Sequence, residues 1–310
     1  MPSLSLKASI NYPIIGGSSS PSYDPDAQAW FTAVEATGNT ISTANKNSFN
    51  TAFLALKSNG IWDLITQGCF FVGIDGANPL SGAFTPFKNT ANATPVNSGF
   101  VTADYNKLTG IVQDGGVFIV GTKSINTSVK NRNTSSDDNP YIPLRDRHFL
   151  AFNSRNDITD ALDFGSFYQA GITGRCFQFR LNGITPVGTN WVYNDNDFNN
   201  DSRFLYDALE ISGKNGKGFF GITTNENTGG AYVFESDQLI MGGSPLFPGG
   251  TATTSISTST ILIGPTNSTG KKRIACYSLG FSMDASQDGT GLGMVSTYDT
   301  IINNLLSSLT

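Results

Sequence analysis

The sequence predicts a mainly β protein, a sandwich or jelly roll of many short strands, with two helices near its N-terminus and one at its C-terminus. Three observations carry this. Stretches such as HFLAF, CFQFRL, FFGI, AYVF and RIACYSL are short and rich in Val, Ile and aromatics. Gly, Asn, Asp or Pro bound them, which is strand punctuation. The composition agrees: the 310 residues include 34 Gly but only 14% charged side chains, against ~25% in average globular domains. Asn, Ser, Thr and Gly replace the charge, and these residues suit the turns between strands. Helical periodicity is confined to residues 23–65 and 296–310.

Taken in order, residues 1–22 read as an extended docking arm. SLKASINYPII (residues 5–15) is apolar enough to lie on a surface, and GGSSSPS (residues 16–22) is a flexible linker by composition. Residues 23–68 read as a helical hairpin packed on the sandwich. Asp24 suits the N-cap and Pro25 the first helical position. Ala27, Trp30, Phe31 and Val34 then repeat at i, i+3, i+4 and i+7. Gly38 ends this helix, and Ser42 or Thr43 caps the next. Phe49, Ala52, Phe53 and Leu56 form its apolar stripe, and Gly60 follows its end. So short a connection predicts antiparallel packing. Trp30, Trp62 and the Phe residues are expected as buried anchors, so that Trp62→Ala would cost ~3–5 kcal/mol.

Residues 69–310 read as the β-sandwich with its C-terminal helix. Strands are expected from Cys69 onward, over 115–124, 147–155, 174–183, 190–194, 216–225, 230–236, 259–265 and 272–283. Loops are expected at 131–141 and 193–200, the places to look for ligand contacts. Tyr298, Ile301, Ile302, Leu305 and Leu309 make one helical face, with Ser296 as its cap. No internal repeat is evident.

Several function classes are disfavoured. Net charge is −5 with one basic cluster, Lys271, Lys272 and Arg273, which argues against nucleic acid as principal ligand. No apolar run approaches ~18 residues, so no membrane insertion is expected, and no secretory h-region opens the chain. Cys69, Cys176 and Cys276 are odd in number and lack C-x-x-C spacing, so reduced thiols are expected. His148 is the sole histidine. A Ser-His-Asp or Cys-His site would need it, but a hydrogen-bonded structural role at a strand start is the better reading. Glycosidases need two flanking carboxylates. Glu235 and Asp237 are two apart, but they sit at a hairpin tip, and no E-x-D-x-E run exists. Asp195, Asp197 and Asp201 offer oxygens for Ca²⁺ without EF-hand spacing, as do Asp284 and Asp288. A polar turn is the better reading for both groups. The N-x-S/T triplets at Asn92 and Asn133 are expected by chance in a chain so rich in Asn and Thr. The expectation is therefore a protein that is no enzyme, with no catalytic, cofactor-binding or metal-ligating residue and no cofactor.

One further pattern spans residues 24–310. Asp24, Asp26, Ala27, Ala29 and Phe31 follow a DxDAxAF start. Leu56, Lys57, Gly60 and Trp62 follow LKxxGxW, and Phe70, Phe71, Val72 and Gly73 follow a PFVGG-like strand. Asp146, Arg147 and His148 close an Asn-rich loop, and KRIACYSLGFSM precedes the last helix. In these motifs the chain resembles bacteriophage virion proteins with a concanavalin A-like (laminin-G-like) jelly roll preceded by a helical hairpin. GAYVFESDQLIMGG departs from that pattern in lacking an Asn-Gly turn. The resemblance implies a virion structural protein, assembled in the host bacterial cytoplasm. The favoured role is a tail-fibre or tail-associated host-attachment protein with a lectin-like domain. A head decoration, neck or collar protein is the alternative, and a glycan depolymerase a lesser one. The implied partners are other virion proteins through the N-terminal arm, host surface glycan, and further copies in a homo-oligomer, first of all a homotrimer.

Overall fold

The computed structural model describes residues 22–114, 123–130, 147–154, 165–167, 177–185, 188–197, 200–208, 217–225, 230–235, 238–243, 260–264, 271–283 and 292–310. The N-terminal arm and the expected 131–141 loop lie outside these residues, as does nearly all of the expected strand over 115–124. Helices α1 (Pro25–Glu35), α2 (Thr43–Ser58) and the single turn α3 (Ile61–Leu64) lead into β1 (Ile65–Phe70). A short helix α4 (Pro79–Ala83) precedes β2 (Pro86–Asn89), β3 (Val96–Ser98), β4 (Tyr105–Asn106) and β5 (Gly110–Asp114). Next come β6 (Ser124–Lys130), β7 (Arg147–Asn153), β8 (Gly165–Phe167), β9 (Phe177–Thr185), β10 (Gly188–Asp197) and β11 (Asn200–Ala208). Then β12 (Gly218–Asn225), β13 (Gly230–Glu235), β14 (Gln238–Gly243), β15 (Thr260–Gly264) and β16 (Lys271–Phe281) precede the last helix, α5 (Leu292–Ser308).

Among the described residues the protein is mainly sheet with few helices, and every strand pairing is antiparallel. A nine-stranded sheet runs β14–β13–β12–β7–β16–β1–β2, with β5 also on β16 and β4 on β5. Four strands form a second sheet, β3–β6–β15–β8, and three a third, β11–β10–β9. Strand β16, last in sequence, lies between β7 and β1: Tyr277 pairs with Cys69 on one side and Ala151 on the other. That insertion ties the two ends of the chain into one core.

The helices form where local chemistry directs. The Asp24 side chain accepts from the backbone N–H groups of Asp26 and Ala27, and Ser42 accepts from Asn45. Both satisfy donors that a helix start leaves free. Lys57, near the end of α2, binds Asp24 and Asp26 at the start of α1. Lys46, near the start of α2, binds Glu35 at the end of α1. Two helices joined end to opposite end in this way run antiparallel. Their apolar stripes meet β1 and β2: Phe70 lies 5.5 Å from Trp30, 5.3 Å from Phe49 and 4.2 Å from Phe87, centroid to centroid. The buried Trp30 donates its indole N–H to Thr85 O at 3.0 Å, so its burial leaves no orphan donor.

Four expectations change. Strand β1 begins at Ile65, four residues before Cys69. All six of its residues are buried, so no alternation announced it. Residues 193–197, expected as loop, belong to β10, and Asp197 pairs with Asn200 across the hairpin. Helix α5 begins at Leu292, and Ser296 sits inside it, its carbonyl accepting the Thr300 hydroxyl at 3.0 Å. Trp62 is half-buried rather than fully buried. Its ring leans on Phe53 and Phe87, while the ammonium groups of Lys57 and Lys88 approach to 5.3 and 4.8 Å of its centroid. Lys88, on the edge strand β2, also donates to the Trp62 carbonyl, so α3 is tied to the edge of the sheet. With one face of the site wet, Trp62→Ala is expected to cost about 2 kcal/mol in urea denaturation. A loss above about 4 kcal/mol would mean that the ring is sealed in the core.

Candidate functional site

His148 enters the core on β7 and is fully buried. Its Nδ1 lies 2.6 Å from Phe281 O. A carbonyl only accepts, so Nδ1 carries the proton and Nε2 accepts from the Ser278 hydroxyl at 3.1 Å. A histidine beside a serine is the start of a nucleophile–base pair. Here Ser278 is 1% exposed and His148 0%, so no substrate reaches either. The imidazole holds strand ends together. Burial pushes its pKa down to about 4, and the Phe281 carbonyl opposes this only in part. The unfolded imidazole takes its proton near 6.5. Between these values the unfolded chain binds more protons, so stability rises with pH there and falls as pH drops from 6.5 toward 4. The loss is on the order of 3 kcal/mol. Because the chain has one histidine, its ring proton resonances report this directly. They should show no titration between pH 7 and 5, and a midpoint near 6.5 would place the ring in water.

Other sequence candidates are dispersed. Asp195 and Asp197 lie on β10 and Asp201 on β11, with Asn196 opposite Asp201; they belong to paired strands, not to a turn. Asp237, Asp284, Asp288, Asn133 and Cys176 lie outside the described residues. Asn92 adopts a left-handed turn with φ 46°. Cys69 and Cys276 are free and buried. Burial raises the Cys69 thiol to about 12 and Cys276 well above its ordinary value, so both stay protonated and inert. Among the described residues no group of three His, Cys, Asp or Glu is placed to hold a metal ion.

Among the described residues, a groove of about 300 Å³ lies between α2 and α5. Sequence reading missed it because its two walls lie far apart in the chain. At one end the helices are pinned together. Asn45, fully buried, donates to Gly73 O at 3.2 Å and accepts from the Thr310 N–H at 3.0 Å. Ser48 donates to Ser308 O at 3.2 Å. Outward of these pins Ala52, Ala55, Ile301 and Leu305 make an apolar floor, and Asn47, Thr51 and Asn304 an uncharged lip. The alanines leave the space that larger side chains would fill. Charge is kept elsewhere. Lys46 and Lys57 turn toward α1, while the buried Asp299 accepts from Phe219 N at 3.0 Å and from Asn303 at 2.6 Å. Such a groove suits an uncharged, partly apolar occupant.

No protein-family model matches this sequence, and no curated protein does. Solved structures that are similar at low level include the following two. One is the leech intramolecular trans-sialidase in complex with 2,7-anhydro-Neu5Ac, prepared by soaking with 3'-sialyllactose. Identity is 14%, the match covers 49% of this chain and 23% of that one, and the TM-score is 0.31. The other is the Trypanosoma rangeli sialidase, at 9% identity, 84% and 39% coverage and a TM-score of 0.35. This chain thus spans well under half the length of either. TM-scores of this size carry neither fold nor chemistry across. Both are named as enzymes, so the expectation that this chain is no enzyme is withdrawn.

Proposed function

We propose that this chain is a structural protein of a bacteriophage particle, tail-associated, whose concanavalin A-like jelly roll contacts the host surface. The observation that carries the reading is the structural work of the motif residues. Asp24 caps α1 and binds Lys57. Ala27, Phe31 and Leu56 fill the space between helices and sheet, and Phe70 and Phe71 extend that core. His148 bonds across to Phe281 on β16. Residues with such roles recur because the architecture needs them, so sharing them supports sharing a scaffold. Antiparallel sheets in which β16 lies between β7 and β1 support a jelly-roll connection, with neighbours distant in sequence. The surface side supports attachment through glycan more than through charge: a chain with 14% charged residues offers amides and hydroxyls to sugar hydroxyls.

Immunogold labelling of phage particles released from the strain that encodes the chain tests the reading. Gold at the tail is the expected result. Gold on the head or neck replaces attachment with decoration, and unlabelled particles overturn the virion role. Purified host surface polysaccharide should compete with cell binding. Shortening of that polysaccharide on incubation would instead make the chain a depolymerase.

A further inference from the structure

We infer that the groove between α2 and α5 is the seat for residues 4–15 of a second copy of this chain; this rests on the oligomeric virion reading above. Groove and segment match in chemistry. The floor is aliphatic, and no charged side chain lines the groove. Residues 4–15 supply Leu4, Leu6, Ile10, Tyr12, Ile14 and Ile15, with Lys7 as the one charged side chain. The volume of about 300 Å³ is at the lower end for ligand pockets, ~300–1,000 Å³, and suits a few side chains of an extended segment.

The way the chain enters the fold sets which copy supplies the segment. Tyr23 packs edge-on against Phe31 at 5.3 Å, and Asp24 N donates to Asn50 Oδ1 at 2.6 Å. The Asp24 carboxylate is held by Lys57. Residue 22 therefore leaves on the flank of α2 that faces α1. The groove is on the opposite flank, facing α5, and the outer crest with Leu54, 50% exposed, lies between. An arm filling its own groove has to double back over that crest. An arm reaching a neighbour continues outward, and residues 16–22 span up to ~23 Å when extended. Donor and acceptor are then different patches, a heterologous contact, which repeated around an axis closes into a ring. The exposed Leu54 sits at the boundary that such a contact covers.

The test uses two complementary variants of the full chain, one lacking residues 1–15 and one carrying Thr51→Arg and Asn304→Arg. Both substituted residues are exposed at the lip, so circular dichroism should match wild type. In size-exclusion chromatography with light scattering, wild type should be a closed oligomer and each variant alone a monomer. Mixed together, the variants should form a one-to-one dimer, because one keeps the groove and the other keeps the arm. A synthetic peptide of residues 4–15 should bind the truncated chain and not the arginine variant. Several results overturn the inference. If the arginine variant stays oligomeric, the arm docks elsewhere. A monomeric wild type whose arm resists protease fills its own groove, and one whose arm is cleaved has no seat there at all. None of these outcomes depends on where gold labels the particle, so this contact and the virion role fail separately.

Discussion

Gly221→Ala is expected to remove a large share of the protein's stability, roughly 3–5 kcal/mol out of the ~5–15 kcal/mol of a typical domain. Strand β12 lies between β7 and β13, and Gly221 pairs with Leu150 on one side and Phe234 on the other. Its φ of +145° is a conformation that side chains rarely adopt. An added Cβ would sit 1.8 Å from Phe149 O and 3.0 Å from Leu150 Cα. Both are backbone atoms of the neighbouring strand, so no rotamer change relieves the clash, and β12 has to part from β7. That seam also carries the packing of α5: Phe219 lies 5.1 Å from Phe152 and 4.4 Å from Tyr298, and its N–H is held by Asp299. Opening it therefore loosens the last helix as well. Gly38→Ala is the control. Gly38 has φ +82° but nothing within 4 Å of an added Cβ, so its cost is the backbone term alone, about 1 kcal/mol. Urea midpoints for the two variants should differ by several-fold in their shift from wild type. Equal shifts would mean that the β7–β12 register is wrong.

The fold was legible where chemistry is local. Asp24 with Pro25, and Ser42, announced both helix starts, and the three- and four-residue spacing of Trp30, Phe31, Phe49 and Phe53 announced their buried faces. Strands flanked by Gly and Asn and rich in aromatics, such as β7, β12 and β16, were equally plain. Three kinds of element were not. Strand β1 is buried throughout and so has no alternation to read. Strand β2 opens on Pro86, a residue that reads as a break although a strand's first position on a sheet edge tolerates it. In β10 and β11, Asn and Asp residues read as loop, but pairing along both strands overrides that preference. The site was less legible still. His148 is fixed by Phe281, 133 residues away, and the groove by helices whose pinned residues, Asn45 and Thr310, are 265 apart. Contacts of that separation leave no trace in local spacing.

Phe70→Ala is the second large effect expected, at ~3–5 kcal/mol, the usual range for emptying a buried aromatic site. Phe70 is fully buried at the end of β1. Four rings surround it, Trp30 from α1, Phe49 and Phe53 from α2 and Phe87 from β2, at centroid distances of 5.5, 5.3, 6.3 and 4.2 Å. Aromatic pairs of this geometry contribute ~0.5–1.5 kcal/mol each beyond area, though not additively, since removing one ring lets the others shift. The position matters more than the count, because this one side chain joins both long N-terminal helices to the sheet. Its loss should therefore appear in two signals at once: a lowered urea midpoint and an altered Trp30 fluorescence. Phe70→Leu keeps most of the volume and should cost less than half as much. The half-buried Trp62, with lysines over its ring, should fall between the two. If Phe70→Ala cost under about 1 kcal/mol, or left the tryptophan emission unchanged, the helices would not be resting on β1. Their stripes would then need another partner, because apolar faces of this width do not remain in water.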